Sequence, residues 1–132
     1  MSTIDEETVT FTITREDLLK VGALVDISKQ AHEAGVRPPV AITAGVNQLV
    51  RDGVGHHQDP LLPTPDIETV YYDIAWMLLL NVLRPNVDRL RVGQEYAFPV
   101  IIGAAEYELE AICTPEGRDG ALVLTVLLPG ED

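Results

Sequence analysis

The chain is short of cysteine, of aromatic side chains and of bases, and each shortage closes off a class of protein. One cysteine, Cys113, among 132 residues excludes an internal disulfide framework. It stands in an alternating apolar run, where a thiol behaves as a small hydrophobe. Residues 74–80 form the longest fully apolar run. A bilayer span needs roughly 20 such residues. Nine Lys and Arg stand against 21 Asp and Glu, for a net charge of −12. A chain so balanced repels phosphate backbones and anionic lipid, and favours either basic partners or plain solubility.

What is present is enough for one packed domain. Apolar residues make up 46% of the chain. A chain of this length buries roughly two-thirds of the surface its unfolded form exposes, without metal or disulfide staples. Residues 1–8 carry Asp5, Glu6 and Glu7 and no apolar leader-like stretch, and read as a disordered tail. Residues 9–132 are expected to form a single α+β domain in a reducing, cytoplasmic setting. The acidity is uneven. Residues 92–132 hold eight acids against Arg118 alone, a net of −7, whereas residues 1–91 hold thirteen acids and eight bases, a net of −5.

Local patterns place the elements. Residues 9–14 (VTFTIT) alternate and are β-branched, which predicts a strand. Thr14 opens a T-x-x-D cap for a short helix over 15–21, which Gly22 stops. Ser28 is the expected N-cap of a helix over 29–34, and Gly35 fits its left-handed end. Pro38 and Pro39 force extended chain into a buried segment at 40–42. Thr43 can cap a helix over 44–51, with Gly53 as its stop. Residues 53–65 hold three prolines and form the longest loop.

Asp66 caps the strongest helical pattern, which opens on Ile67 and closes on Leu83. Ile67, Val70, Tyr71, Ile74 and Leu78 fall on one face, and the second half (IAWMLLL) is apolar all round. Such a half is buried on most sides or contacts another subunit. Trp76, Tyr71 and Tyr72 are assigned to packing, with a tyrosine hydroxyl reaching water. Three strands follow, at 94–102, 105–113 and 121–128, joined by turns at Gly103 and at 115–120. Pro99 marks the first as an edge or a bulge. The expected fold is therefore α+β, an antiparallel three-stranded C-terminal meander packed on the long helix, with short helices and a strand before it.

Three groups of side chains have chemical potential. Glu106, Glu108 and Glu110 alternate with Tyr107, Leu109 and Ala111, which puts three carboxylates on one strand face, roughly 7 Å apart. They can dock a basic groove or imitate a row of phosphates, or simply keep a sheet face solvated. His56, His57 and Asp59 in the loop are metal-ligand types without a standard metal spacing, and His32 adds a third imidazole only if the fold brings it near. Arg84, Arg89 and Arg91 form the basic cluster, expected to pair with the acidic body rather than with nucleic acid. No phosphate-binding glycine loop or nucleophile elbow is present, and no cofactor is implied.

The stretch at 22–43, GALVDISKQAHEAGVRPPVAIT, resembles a family of small uncharacterised bacterial proteins common on phages, plasmids and other mobile elements. The shared features are G-x-L-V-D-[IV], A-x-x-A-G and P-V-A-x-T, with further likeness at Asp73–Met77 and at 120–132. After Thr43 the chain departs from the aromatic-containing version of that segment. The resemblance implies a mobile-element setting and brings no catalytic residues with it.

Charge and setting together point to a non-catalytic acidic interaction protein, an inhibitor of host defence of the anti-restriction or anti-CRISPR kind, with Glu106, Glu108 and Glu110 as its contact. The alternatives are a small metal-dependent hydrolase using His56, His57 and Asp59, and an accessory protein that self-associates through the helix from Ile67 to Leu83.

Overall fold

The computed structural model describes residues 13–55, 66–116 and 119–131. Five strands form one mixed sheet: β1 (Leu24–Asp26), β2 (Val40–Thr43), β3 (Glu95–Ile102), β4 (Ala105–Glu116) and β5 (Ala121–Leu127), in the order β1-β2-β5-β4-β3. The helices are α1 (Arg15–Lys20), α2 (Ser28–Ala34), α3 (Ala44–Gly55) and α4 (Ile67–Leu78).

The expected meander is present but is not the whole sheet. β3 pairs antiparallel with β4 and β4 with β5. β5 then pairs in parallel with β2, Val40 opposite Leu124 and Ile42 opposite Val126, and β1 closes the far edge. The strand expected at 9–14 falls mostly outside the described residues. Its last residue, Thr14, is instead the N-cap of α1, where its hydroxyl accepts from the Asp17 N–H and the Asp17 carboxylate accepts from the Thr14 N–H.

Period-two alternation sorts the sheet into two faces. The inner face carries Phe98, Val100, Ile102, Leu109, Ala111, Cys113, Leu124 and Val126, all buried. They share one core with Ile27, Ala31 and Ala34 near and on α2, Val46 and Val50 on α3, and Val70, Ile74, Ala75 and Leu78 on α4. Each large side chain removed from water there is worth about 1.5–3 kcal/mol. The outer face is treated below.

Several local expectations are corrected. Ser28 does not cap α2: its hydroxyl accepts from the Val40 N–H at 3.0 Å and so ties α2 to β2, while Asp26 accepts from the Ser28 N–H. Gly35 does end α2, at φ 105°. Thr43 caps α3 by accepting from the Val46 N–H, but Gly53 does not stop that helix, which runs on to Gly55. Gly53 serves close approach instead. A Cβ there would lie 2.7 Å from Ile102, and one on Gly103 (φ 66°) would lie 2.9 Å from the Gly53 backbone. The β3–β4 turn thus rests directly on α3.

The helix from Ile67 is α-helical only to Leu78. Leu79–Leu83 is a π-helical turn, in which the Arg84 N–H donates to the Leu79 carbonyl five residues back. Pro85 follows and cannot donate to any helical carbonyl. The side-chain amides of Asn81 and Asn86 satisfy the carbonyls of Met77 and Val82. The apolar second half is largely used internally: Ile74, Ala75, Leu78 and Val82 are buried. No helix among the described residues is long and apolar enough to cross a membrane.

Candidate functional site

The outer face divides into two halves. On one, α1 is tied to the sheet by Arg15, whose guanidinium donates to the Thr125 hydroxyl at 2.7 Å and to the Leu124 carbonyl at 2.9 Å. Leu24, Ala41, Val123 and Leu127, which the register places on this face, are buried. Burial weakens the Arg15 guanidinium's hold on its proton, and the charges of Glu116 and Asp26 offset this. Arginine stays cationic under such conditions.

The other half is exposed. On β4 it presents Glu106, Glu108 and Glu110, the first two exposed and the third half-buried. The row expected from the sequence is thus formed. Its neighbours are the informative part: on β3 the register sets Ile101 opposite Glu106, Pro99 opposite Glu108 and Ala97 opposite Glu110. Leu127 on β5 lies on the other side of Glu110. The row is therefore flanked on its β3 side by apolar residues, and Glu95, exposed on the same face opposite Ile112, stands diagonal to Glu110 and adds a fourth carboxylate there. Among the described residues, none of the three has an ion-pair or hydrogen-bond partner for its side chain.

At the Glu106 end this face meets a cleft of about 310 Å³. It wraps round the free edge of the sheet. Asp73, Trp76 and Met77 of α4 form one wall, and Pro99, Val100, Ile101 and Glu106 the other. Trp76 is 37% exposed and Ile101 66%. Trp76 packs with part of its surface, as expected, but lies outside the core. It stands at a surface, with the Arg84 guanidinium 5.7 Å from its ring centroid. Partial burial pushes the Asp73 carboxyl's pKa up. Asp73, Trp76 and Met77 escaped the sequence reading because they lie off the Ile67–Val70–Tyr71–Ile74–Leu78 stripe. Trp76, a large apolar residue outside the core, was the available signal.

The remaining candidates come apart. The expected ion pairs of Arg84, Arg89 and Arg91 do not form among the described residues. Arg84 stacks on Trp76, Arg89 donates to the Pro85 carbonyl, and the Arg91 N–H donates to the Tyr96 hydroxyl. Each is used within its own stretch of chain. His56, His57 and Asp59 lie outside the described residues. His32 is exposed on α2, and no group of three His, Cys, Asp or Glu able to hold a metal exists among the described residues. Cys113 is buried in the core, which raises its thiol pKa and keeps it protonated. The Tyr71 hydroxyl donates to Asn47 at 2.6 Å, and burial raises its pKa against the opposing pull of Arg51, while Tyr72 is the exposed tyrosine of the pair. No family model, no curated protein and no solved structure matches the chain, so its function is argued from the geometry of this face.

Proposed function

We propose that the protein is a non-catalytic interaction module that binds a basic protein surface through the exposed half of its sheet. The observation that carries this reading is the row Glu106, Glu108 and Glu110, without partners among the described residues and flanked by Ala97, Pro99 and Ile101. Carboxylates set beside the apolar side chains of β3 match a partner that carries both cations and apolar groups. The net charge of −12 adds long-range attraction to such a partner and speeds encounter. The resemblance of residues 22–43 to mobile-element proteins directs the search for that partner towards host defence proteins with basic grooves.

The test uses a lysine-rich peptide at low salt, with the triple variant Glu106→Gln, Glu108→Gln, Glu110→Gln. Binding should weaken by about tenfold or more, since each exposed charge contributes up to about 1 kcal/mol. A control triple of equal charge, Glu33→Gln, Glu68→Gln, Asp88→Asn, alters exposed acids outside the sheet. Equal weakening in both triples would show attraction to net charge alone and defeat the reading. Protection of phage DNA in cells, lost in the row variant alone, would extend it to host defence.

A further inference from the structure

The cleft at the sheet edge has a chemistry that the carboxylate row does not explain. Its walls are the indole of Trp76, the thioether of Met77 and the side chains at Pro99 and Ile101, with two carboxylates, Asp73 and Glu106, on opposite walls. Neither carboxylate has an ion-pair or hydrogen-bond partner among the described residues. Arg84 covers a face of the indole but is not part of the cleft lining, so the cleft holds two anionic groups and no resident cation. A volume of about 310 Å³ stands at the lower end of the roughly 300–1,000 Å³ of ligand clefts. That suits one long side chain better than a large cofactor.

We propose that this cleft is the anchor pocket for one lysine or arginine side chain, carried beside an apolar residue on an extended segment of a basic partner protein. The inference rests on the reading of the carboxylate row given above and adds where the partner is gripped. Apolar walls take the aliphatic stem or the neighbouring apolar residue, and Asp73 and Glu106 take the charged head. Glu106 belongs to both features, which makes the cleft the end of a linear track through Glu108 to Glu110. Cations spaced along a line with one anchored end describe a polypeptide rather than a small free cation.

Other occupants fit less well. A second copy would bring acids against acids in a chain of net charge −12. Phosphate backbones and anionic lipid meet the same two carboxylates. An added strand hydrogen-bonded along β3 meets Pro99 in the middle of the edge, which has no N–H to offer. The segment is therefore held by side chains, with no continuous ladder. Desolvation by the partly apolar wall raises the proton affinity of Asp73.

Trp76 is the only tryptophan, so its emission reports the cleft directly. The full chain is titrated with a short blocked peptide alternating arginine and leucine. The comparison probes are the same peptide with glycine for leucine and a simple alkylguanidine. The expected result is a saturable change in Trp76 emission with the arginine–leucine peptide, weakened roughly threefold to tenfold by Asp73→Asn and by replacing leucine with glycine. Glu108→Gln with Glu110→Gln should weaken binding while leaving the emission of the bound state unchanged. If Asp73→Asn binds like the parent while the double variant weakens binding, the anchor is wrong and the carboxylate row stands. If the double variant binds like the parent while Asp73→Asn weakens binding, the anchor stands and the row reading fails. An alkylguanidine that binds as tightly as the peptide overturns the assignment to a polypeptide. No response of Trp76 to any probe overturns the pocket altogether.

Discussion

The outer face of one sheet is built in two different ways. Around β1, β2 and β5 it carries Leu24, Ala41, Val123 and Leu127, buried, with Arg15 fastening α1 to Thr125 and Leu124. Around β3 and β4 the same face carries Ala97, Pro99, Ile101, Glu106 and Glu108, all exposed. The first half shows what this face does when the fold uses it. The second shows a face that the fold leaves alone, because the inner sides of β3 and β4 already reach the core through Phe98, Val100, Leu109 and Ala111. Exposed apolar side chains beside carboxylates without partners among the described residues are not demanded by stability, which is why they are the place to look for binding.

That comparison is broken most forcefully from beneath. Leu109 is fully buried opposite Phe98 on the inner face, so Leu109→Ala should cost about 2–5 kcal/mol in urea unfolding. A loss well under 1 kcal/mol would mean that the inner face of β4 is not fixed by packing, and the outer face would then lose its rigid backing. Next in size is the fastened half. Arg15→Met removes two charge-assisted hydrogen bonds and should cost about 1–3 kcal/mol, with faster amide exchange across α1. No change in stability would make the two halves equivalent and remove the contrast.

The difference between the halves was only partly legible in the sequence. Alternation at 105–113 put the three glutamates on one face, and the pattern from Ile67 to Leu78 set the buried side of α4. Both signals are local, so both could be read. The parallel pairing of Val40–Thr43 with β5 joins residues more than eighty positions apart, and a four-residue apolar strand has too little alternation to announce a partner. The role of Arg15 depends on that pairing, because Thr125 and Leu124 are brought to it only by the assembled sheet. The cleft was hidden for the same reason: Asp73 and Trp76 meet Ile101 and Glu106 across two elements. Ser28 and Gly53 misled because residues typical of helix ends also make tertiary ties and close approaches.

The exposed half sharpens the comparison by failing to affect stability. Glu106→Gln, Glu108→Gln and Glu110→Gln together should shift unfolding by no more than about 0.5 kcal/mol, because surface changes away from packed features are small. The same variant should weaken binding of a basic peptide. A marked loss of stability would turn the row into a structural element and end its claim to function.

The smallest effect belongs to Asp73, at the rim of the exposed half, and its sign separates a carboxylate kept for the fold from one that costs the fold. Partial desolvation raises its pKa in the folded chain above that in the unfolded chain, although the side chain stays largely exposed. As pH rises from the ordinary carboxylate range to this raised value, the unfolded state gives up the proton first, and stability falls across that window. Above it the cost persists, reduced by solvent because the side chain is exposed. Asp66 runs the other way: hydrogen bonds from Thr69 lower its pKa, so its contribution is present at neutral pH and is lost as pH falls through the lowered value. Asp73→Asn should therefore be equal to or slightly more stable than the parent at neutral pH, and the gap should close below the ordinary carboxylate range. Thermal melts of parent and variant across that range read the difference directly. A variant less stable at neutral pH would mean that the Asp73 charge supports the fold, and the cleft would then lie on the same side of the comparison as Arg15.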